Sequence, residues 1–452
     1  MLKLKTISFD KKIEETIRAI SAKGKSAADT YHALSRSGRK KVLEALDANG
    51  LKSLTRLIKE SKKKTFAAAN KRFLEIVHGD IATPVYLIDE ALIERNMEVL
   101  RYVKDRTGCK ILHALKAYAS FATFPMMSTY LDGTCASGLN EARLGYEKFK
   151  KEVHTFGAAY RENEIRQILK YSNSIIFNSF FQLEEYGSLA RKSGVHIGLR
   201  VNPGHSEVAT EMYNPCAPCS RLGIIHDVFS EEFSKYKGMV DGLHFHAMCE
   251  QNSDVLERIL KSFEKLYGPY INGLKWVNFG GGHHITRDDY DIERLIKLIT
   301  NFKKKYGVQV YLEPGEASVL NAGVLVSSVL DIIGNEIEIA IMDTSAETHM
   351  PDVLLMPYRP HVMKSAQPNE EQYAYRLAGP SCLAGDVLGD YSFDKPLKRG
   401  DKLVFTDMAL YSIVKSTTFN GINLPDISVI RDGGEVEVIK QFGYKEYKNR
   451  QS

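Results

Sequence analysis

Residues 274–282 read Leu-Lys-Trp-Val-Asn-Phe-Gly-Gly-Gly, a short apolar run that stops at three consecutive glycines. Apolar residues at helical spacing precede it (255–267) and follow it (292–306), and a second β-prone run, Gln309–Glu313, comes next. A β-prone run followed by an amphipathic helix forms one βα unit, and repeated units place their strands in a parallel sheet. This stretch therefore predicts a parallel α/β fold.

The same alternation extends in both directions at a spacing of roughly 25 residues. Candidate strands lie at Val85–Ile88, Lys110–Ala114, His154–Gly157, Ser174–Asn178, His196–Asn202, Gly242–His246, Trp276–Gly280 and Gln309–Glu313. Parallel units in this number most simply close into a (β/α)8 barrel of the TIM type. An open doubly wound sheet is the alternative, although the glycine run lacks the GxGxxG spacing of a dinucleotide site.

The two ends of the chain have a different pattern. Residues 1–76 contain apolar positions at helical spacing, and we predict three helices in this basic N-terminal extension. From about residue 322 short β-prone runs are separated by turns, without a long amphipathic helix. We therefore predict an N-terminal helical extension (1–76), a barrel domain (77–321) and a mostly β C-terminal domain (322–452).

The net charge of +5 is distributed unevenly. Residues 1–76 contain 19 Lys or Arg against eight Asp or Glu, and the remainder contains 42 against 48. An acidic body disfavours nucleic acid as its partner, whereas the basic extension leaves that question open. We interpret Lys62-Lys63-Lys64 as a solvated helical face, with a patch for nucleic acid or an anionic surface as the alternative.

No apolar run reaches the ~18 residues of a membrane span, and the first residues lack the apolar segment of a signal peptide. A cytoplasmic location is therefore predicted. In such a chain the six cysteines are interpreted as thiols. Cys216 and Cys219 form a single CxxC motif without a second one, and neither His244/His246 nor His283/His284 has a carboxylate at metal-ligand spacing, so no metal site is predicted.

Four predicted strands end in residues that can do chemistry together. Lys116 can offer an amine to an aldehyde, Gly281 and Gly282 let backbone amides approach a phosphate, Glu313 can pair with a cationic ring nitrogen, and His246 can stack on a flat ring. In a barrel these strand ends meet at one face. Pyridoxal 5′-phosphate is the ligand that uses all four groups, and it stabilises negative charge on a substrate α-carbon.

The chain also resembles the alanine-racemase-like group of pyridoxal-phosphate enzymes that includes ornithine and diaminopimelate decarboxylases. Within that group it resembles the members that act on carboxylated polyamines. The resemblance covers about residues 83–425. It rests on motifs including His113-Ala114-Leu115-Lys116, Leu243-His244-Phe245-His246, Leu312-Glu313-Pro314-Gly315-Glu316-Ala317, Gly379-Pro380-Ser381-Cys382 and Thr418-Phe419-Asn420-Gly421.

The resemblance implies a decarboxylase made of a barrel and a C-terminal β domain, acting as a homodimer whose active sites are shared between subunits. Lys116 would carry the cofactor, and Tyr411 would bind its phosphate together with the glycines. Cys382, contributed by the other subunit, would return a proton to the substrate. Nothing in the resemblance extends to residues 1–76.

Two departures from the group's pattern point to the substrate. Many relatives have Arg where this chain has Glu316, and diaminopimelate decarboxylases have Glu where it has Leu383. A carboxylate attracts a cationic tail that an arginine would repel. We therefore expect a substrate with an α-amino acid at one end and an amine tail at the other, namely a carboxylated polyamine.

Candidate residues for the substrate are the acidic Glu316, Glu347, Asp352 and Asp386, which can bind the amine tail, and Arg359, which can bind a carboxylate. Another basic amino-acid decarboxylase of this fold, for diaminopimelate, ornithine or arginine, remains an alternative. A non-catalytic regulator on the same fold is a further one, although such a protein would be expected to lose Lys116 or Glu313.

Overall fold

The computed structural model describes residues 11–24 and 26–452 of the chain. Its helices are α1 Lys11–Ser21, α2 Ala27–His32, α3 Arg36–Ala45, α4 Ala48–Val77, α5 Glu90–Thr107, α6 Phe124–Tyr130, α7 Leu139–Leu144, α8 Glu162–Tyr171, α9 Phe180–Lys192, α10 His226–Tyr236, α11 Ser253–Tyr267, α12 Ile292–Tyr306, α13 Glu316–Val319, α14 Ala346–His349, α15 Asp352–Leu355, α16 Ser412–Lys415 and α17 Tyr444–Gln451. Its strands are β1 Val85–Asp89, β2 Lys110–Ala114, β3 Gly133–Ala136, β4 Glu152–Phe156, β5 Ser174–Phe177, β6 His196–Arg200, β7 Gly242–His244, β8 Trp276–Asn278, β9 Gln309–Leu312, β10 Gly323–Asn335, β11 Ile337–Met342, β12 Tyr373–Ala378, β13 Val387–Phe393, β14 Lys402–Thr406, β15 Asp426–Ile430 and β16 Val436–Lys440. Across the described ranges, every helix is too short or too polar to cross a membrane.

Strands β2 to β9 form a closed barrel in chain order, with β9 pairing back to β2. Every neighbouring pair is parallel, as the predicted βα units require. The strands are short and mostly buried, and all four residues of β5 are buried. The predicted barrel with a separate C-terminal sheet and N-terminal helices is confirmed.

The identity of one barrel strand differs from the prediction. The run at Val85–Ile88 forms β1, which pairs with β10 and β15 of the other sheet. The remaining barrel strand is β3, whose sequence Gly-Thr-Cys-Ala gives little β signal. A side chain at Gly133 would clash with the backbone carbonyl of Glu152 on β4, so packing there requires a small residue that propensity does not favour.

The second sheet has the order β13-β12-β11-β10-β1-β15-β16, with β14 also pairing with β10. Its core contains Tyr86, Leu325, Leu377, Tyr391 and Phe405. By contacts the chain divides into two units. A barrel unit comprises the described residues up to Lys64 with residues 94–116 and 124–318, and a sheet unit comprises residues 65–93, 117–123 and 319–452. The domain limits at 76/77 and 321/322 stay a prediction.

The described part of the N-terminal extension contains four helices, α1 to α4, where three were predicted. The additional break separates α2 from α3. It lies at Ser35, whose hydroxyl accepts a hydrogen bond from Gly38 N and so caps the start of α3. The interpretation of Lys62-Lys63-Lys64 as a solvated face is wrong for Lys62, whose side chain is buried, whereas Lys63 lies 3.4 Å from Asp288.

Within the barrel unit, the N-terminal helices dock on the outer helices of the barrel. Arg39 on α3 is buried, and its Nε donates to Asp105 Oδ2 on α5 at 2.7 Å. Thr55 on α4 donates to Glu293 Oε1 on α12 at 2.7 Å, and Lys59 donates to the carbonyl of Tyr290 at 2.6 Å. Partly buried polar contacts of this kind tie the extension to the barrel.

Candidate active site

The predicted chemical residues of the barrel unit lie at the carboxyl ends of adjacent strands. Lys116 follows β2, Glu313 follows β9, His246 follows β7, and the glycine run follows β8. Because β7, β8, β9 and β2 are neighbours in the closed barrel, these residues share one mouth, which is the catalytic face of such barrels.

Glu313 is a buried carboxylate held by two side chains of the barrel interior. The amide of Asn278 donates to Glu313 Oε1 at 2.7 Å, and His244 Nε2 lies 3.4 Å from Glu313 Oε2. Burial by itself would raise the pKa of this carboxyl, but His244 and Asn278 stabilise the anion and lower the pKa to about 2. Glu313 is therefore an ionised carboxylate that can face a cationic ring nitrogen.

His246 has a fixed ring and a defined proton. The backbone N–H of Gly281 donates to His246 Nδ1 at 2.8 Å, so Nδ1 carries no proton. Burial, with Lys116 and Arg200 nearby, lowers the pKa of His246 well below its usual range. The ring is thus a neutral imidazole held by the glycine loop, as stacking on a flat cofactor requires.

Lys116 projects into the mouth with an exposed side chain. Its surroundings include Cys135 on β3, whose thiol pKa is raised well above its usual range by burial and by the negative charge of Glu313. Burial also raises the pKa of Glu141, which accepts a hydrogen bond from Ser137 N at 2.7 Å. These neighbours leave the lysine amine accessible to an incoming aldehyde.

The glycines allow an unusually close backbone approach. A Cβ on Gly281 would lie 2.5 Å from the carbonyl of Glu313, and one on Gly282 would clash with the carbonyl of Met248. Gly280 and Gly282 also have positive φ angles of 70° and 79°. Only glycine can hold this loop against β7 and β9, where the Gly281 amide fixes His246 and the Gly282 amide can approach a phosphate.

Sequence reasoning assigned no role to three residues that shape this mouth: Asn278, His244 and Arg200. Arg200 is 5% exposed, donates to the carbonyl of His246 at 3.4 Å, and stacks 4.5 Å over the ring of Phe156. Burial lowers the pKa of its guanidinium to about 10. Each is the last residue of its strand in the structure and lies inside a predicted strand, so the position was available in the sequence, but the pairing with Glu313 or His246 was not.

Tyr411 and Cys382 belong to the sheet unit. Tyr411 has a φ of 50°, and its backbone N–H donates to the carbonyl of Ala117, the residue after Lys116 in sequence. Cys382 is exposed, and its backbone N–H donates to Asn420 Oδ1 at 2.7 Å. An exposed thiol on an anchored loop is accessible to a second chain.

The predicted substrate residues are not one group. Glu316 lies in the barrel unit, where its Oε2 is 3.0 Å from His284 Nε2. In the sheet unit, Asp386 is buried and accepts a hydrogen bond from Ala346 N at 2.7 Å. Loss of hydration raises the pKa of the nearby Glu347 carboxyl, and the negative charge of Asp386 raises it further.

Asp352 and Arg359 already have internal partners in the same unit. Asp352 forms an ion pair with Lys415, and Arg359 lies 4.7 Å over the ring of Tyr391 while donating to the carbonyl of Asp390 at 3.2 Å. Their side chains are therefore engaged in holding the sheet unit together.

The residues of the barrel mouth fit pyridoxal 5′-phosphate. The accessible amine of Lys116, the ionised Glu313, the neutral His246 and the glycine amides match its aldehyde, ring nitrogen, ring face and phosphate. A barrel with this mouth and a separate sheet defines the class of pyridoxal-phosphate enzymes built on the two-part fold.

Comparisons with known proteins agree with this class. The family model described as "Pyridoxal-dependent decarboxylase, C-terminal sheet domain" matches residues 35–409. A carboxynorspermidine/carboxyspermidine decarboxylase from Campylobacter jejuni is 46% identical over 382 residues, covering 82% of this chain and 98% of that protein. A carboxyaminopropylagmatine decarboxylase from Synechocystis is 39% identical over 374 residues, covering 82% and 96%.

Among solved structures, the carboxynorspermidine decarboxylase of Campylobacter jejuni in complex with norspermidine superposes with a TM-score of 0.76. The two chains are 44% identical, and the match covers 82% of this chain and 100% of that one. The chain belongs to the pyridoxal-dependent decarboxylases. It is an enzyme of that family, and pyridoxal 5′-phosphate is its cofactor.

Proposed function

We propose that this enzyme removes the α-carboxylate of carboxynorspermidine or carboxyspermidine and releases norspermidine or spermidine, a step of polyamine biosynthesis. The observation that carries the proposal is the 46% identity to the Campylobacter jejuni enzyme across 98% of its length. The carboxylate of Glu316 in place of the arginine found in many relatives also supports a cationic substrate.

In this proposal the barrel residues bind and orient the reactants. Lys116 would hold the cofactor through its amine until the substrate binds. Gly281 and Gly282 would lie against the phosphate, where the amide of Gly282 would donate to it, while the amide of Gly281 keeps His246 in place to support the ring face. Tyr411 stays a proposed phosphate ligand. When bound, the cofactor accepts the electron pair left on the α-carbon as carbon dioxide departs.

Glu313 has the central electrostatic role in this scheme. Its ionised carboxylate keeps a proton on the cofactor ring nitrogen, and the buried position strengthens that interaction. Asn278 and His244 hold the carboxylate in place, so no reorientation is needed as charge develops. Cys382, or a water molecule that it positions, then returns a proton to the α-carbon.

We also propose that the enzyme is a homodimer in which Cys382 acts in the active site of the other subunit. The exposure of Cys382 supports this arrangement. We place the enzyme in the cytoplasm, where thiols stay reduced, because all six cysteines are free. Glu347, Asp352, Asp386 and Arg359 remain proposed substrate residues, and among them Glu347 has a buried carboxylate oxygen, Oε2, without a hydrogen-bond partner.

A second candidate substrate is carboxyaminopropylagmatine, favoured by the 39% identity to the Synechocystis enzyme. Its tail ends in a guanidinium, which an acidic pocket also attracts. Diaminopimelate, whose far end carries a carboxylate, is disfavoured by Glu316 and by Leu383.

Carbon dioxide release from a substrate panel tests the assignment. We expect kcat/KM for carboxynorspermidine or carboxyspermidine to exceed that for carboxyaminopropylagmatine and meso-diaminopimelate by about 100-fold or more, because an unpaired or mismatched charge in the tail pocket costs several kcal/mol. A preference for carboxyaminopropylagmatine would establish the second candidate, and turnover of meso-diaminopimelate alone would refute both.

Mixing two inactive variants tests the shared active site. Lys116→Ala and Cys382→Ala chains, refolded or coexpressed together, should form heterodimers with one intact site and recover up to about a quarter of wild-type activity, since random assembly makes half the dimers mixed. Cys382→Ala alone should lose turnover while retaining cofactor. Absence of any recovery, with heterodimers verified by mass, would contradict a site shared between subunits.

A further inference from the structure

The segment that connects β8 to α12 runs from the mouth of the barrel to the N-terminal extension. It begins with the glycine loop, Gly280–Gly282, and ends at Asp291, whose carboxylate accepts a hydrogen bond from Arg294 N and so caps α12. Helix α4 contacts the outer end of the segment. One segment of chain therefore carries the amide that is proposed to bind the cofactor phosphate and also contacts a helix outside the barrel.

Lys59 on α4 makes the main contact with this segment. Its ammonium donates to the backbone carbonyl of Asp288 at 2.9 Å and to that of Tyr290 at 2.6 Å. The side chain is partly buried. Loss of hydration lowers the pKa of its amine, and the charges of nearby aspartates, Asp288 among them, oppose that shift. Because hydrogen bonds from a charged donor are stronger than neutral ones, Lys59 holds positions 288 and 290 together.

Two further residues on the same face of α4 extend this contact. Thr55, Lys59 and Lys63 are spaced four residues apart, so they lie above one another on the helix. Thr55 donates to Glu293 Oε1 at 2.7 Å, and Lys63 Nζ lies 3.4 Å from Asp288 Oδ2. This face of α4 therefore follows the chain from the outer end of the segment into the first turn of α12.

Hydrogen-bonded turns connect the residues that Lys59 holds to the glycine loop. Tyr290 N donates to the carbonyl of Arg287 at 3.1 Å, and Arg287 N donates to the carbonyl of His284 at 2.8 Å. His284 N donates to the carbonyl of Gln251 at 3.2 Å, and Gln251 N donates to the carbonyl of Gly282 at 3.0 Å. Successive bonds of this kind leave the backbone little freedom, so a displacement at Tyr290 is transmitted to Gly282.

We propose that Lys59 is a positioning residue for the cofactor phosphate. By fixing the outer end of the segment between β8 and α12, it keeps the amide of Gly282 where that amide can donate to the phosphate. The proposal rests on the proposed function, in which Gly282 lies against the phosphate. It gives the N-terminal extension a role in cofactor binding that is exerted through the backbone of the barrel.

Release of the cofactor from the holoenzyme tests this role. Lys59→Met keeps the length of the side chain and removes its charge and its donors. We expect release of pyridoxal 5′-phosphate into a scavenger to be about tenfold faster than from wild type. Lys63→Met should accelerate release by less than about threefold, because its contact with Asp288 is exposed to solvent. The matched control is Lys52→Met, an exposed lysine on the same helix, which should release the cofactor at the wild-type rate.

Pyridoxal, which lacks the phosphate, separates positioning from a general loss of stability. The full chain, freed of cofactor, is titrated with pyridoxal 5′-phosphate and with pyridoxal. Lys59→Met should weaken binding of the phosphorylated form about tenfold and binding of pyridoxal by less than about twofold. Arg39→Ala, which removes a different contact of the extension, should bind both forms as wild type does.

Two outcomes would overturn the role of Lys59. One is equal weakening of both forms in Lys59→Met, which would indicate a structural role alone, and the other is wild-type binding of both forms. Neither measurement involves the substrate. If no carboxylated polyamine is turned over, the proposed reaction fails, and the comparison of the two cofactor forms still decides whether Lys59 positions the phosphate site.

Discussion

Replacing Lys116 with alanine is expected to lower kcat by about 10³-fold or more, because in the proposed mechanism this one amine would both hold the cofactor and give way to the substrate amine. In the structure this side chain is exposed in the barrel mouth, beside the protonated thiol of Cys135. Steady-state carbon dioxide release measures the loss. A second measurement, independent of turnover, is borohydride reduction in the presence of pyridoxal phosphate followed by peptide mass spectrometry, which should modify Lys116 in wild type.

The control for this prediction is Lys265→Ala on helix α11, an exposed lysine on the outside of the barrel. It should retain full activity and the same modified peptide. Two results would contradict the proposed role of Lys116: a large fraction of activity retained by Lys116→Ala, or modification of a different lysine in wild type. Either result would also contradict the proposal that the barrel mouth binds the cofactor.

Replacing Arg39 with alanine should destabilise the protein by about 3–5 kcal/mol, since removal of one partner leaves a buried charge without compensation. Arg39 is 7% exposed, and Asp105 accepts its Nε–H at 2.7 Å, while Arg39 Nη1 donates to the carbonyl of Leu34 at 2.7 Å. The free energy of the first unfolding transition in urea, with the slope m checked for cooperative unfolding, measures the effect.

Two further variants make this prediction specific. Arg36→Ala, three residues earlier on the same helix and exposed, should change stability by less than about 0.5 kcal/mol. The double variant Arg39→Met/Asp105→Leu should recover more than half of the loss, because an apolar pair of similar volume avoids the desolvation of both charges. A stability unchanged by Arg39→Ala would show that the N-terminal helices do not brace the barrel.

The barrel was predictable because its strands are short, apolar and separated by amphipathic helices. The errors have identifiable causes. β1 has the composition of a barrel strand but pairs with β10 and β15, and nothing in four consecutive apolar residues specifies which sheet accepts them. β3 was missed because close packing at Gly133 selects a small residue over a β-former.

The residues of the candidate site could be named from the sequence, but the contacts between them could not. Strand ends identified Lys116, Glu313 and the glycines, since polar residues at such ends are conspicuous. The support that Asn278 and His244 give to Glu313 depends on the closure of the barrel, which brings β7, β8 and β9 side by side. Lys62 was misjudged for a related reason: a charge run indicates exposure only when nothing packs over it, and the burial of Lys62 is a tertiary property.

The docking of α4 on α12 has a consequence for how the chain is made. Thr55 and its partner Glu293 are 238 residues apart, so a ribosome working from the N-terminus releases α4 long before α12 exists. At ordinary elongation rates this delay lasts about 10–50 s. Throughout that interval the apolar face around Leu54 and Leu57, buried in the finished protein, has no barrel to pack against. The nascent chain of this enzyme is therefore expected to be a chaperone client from its N-terminal segment onward, and release from the chaperone should coincide with completion of the barrel.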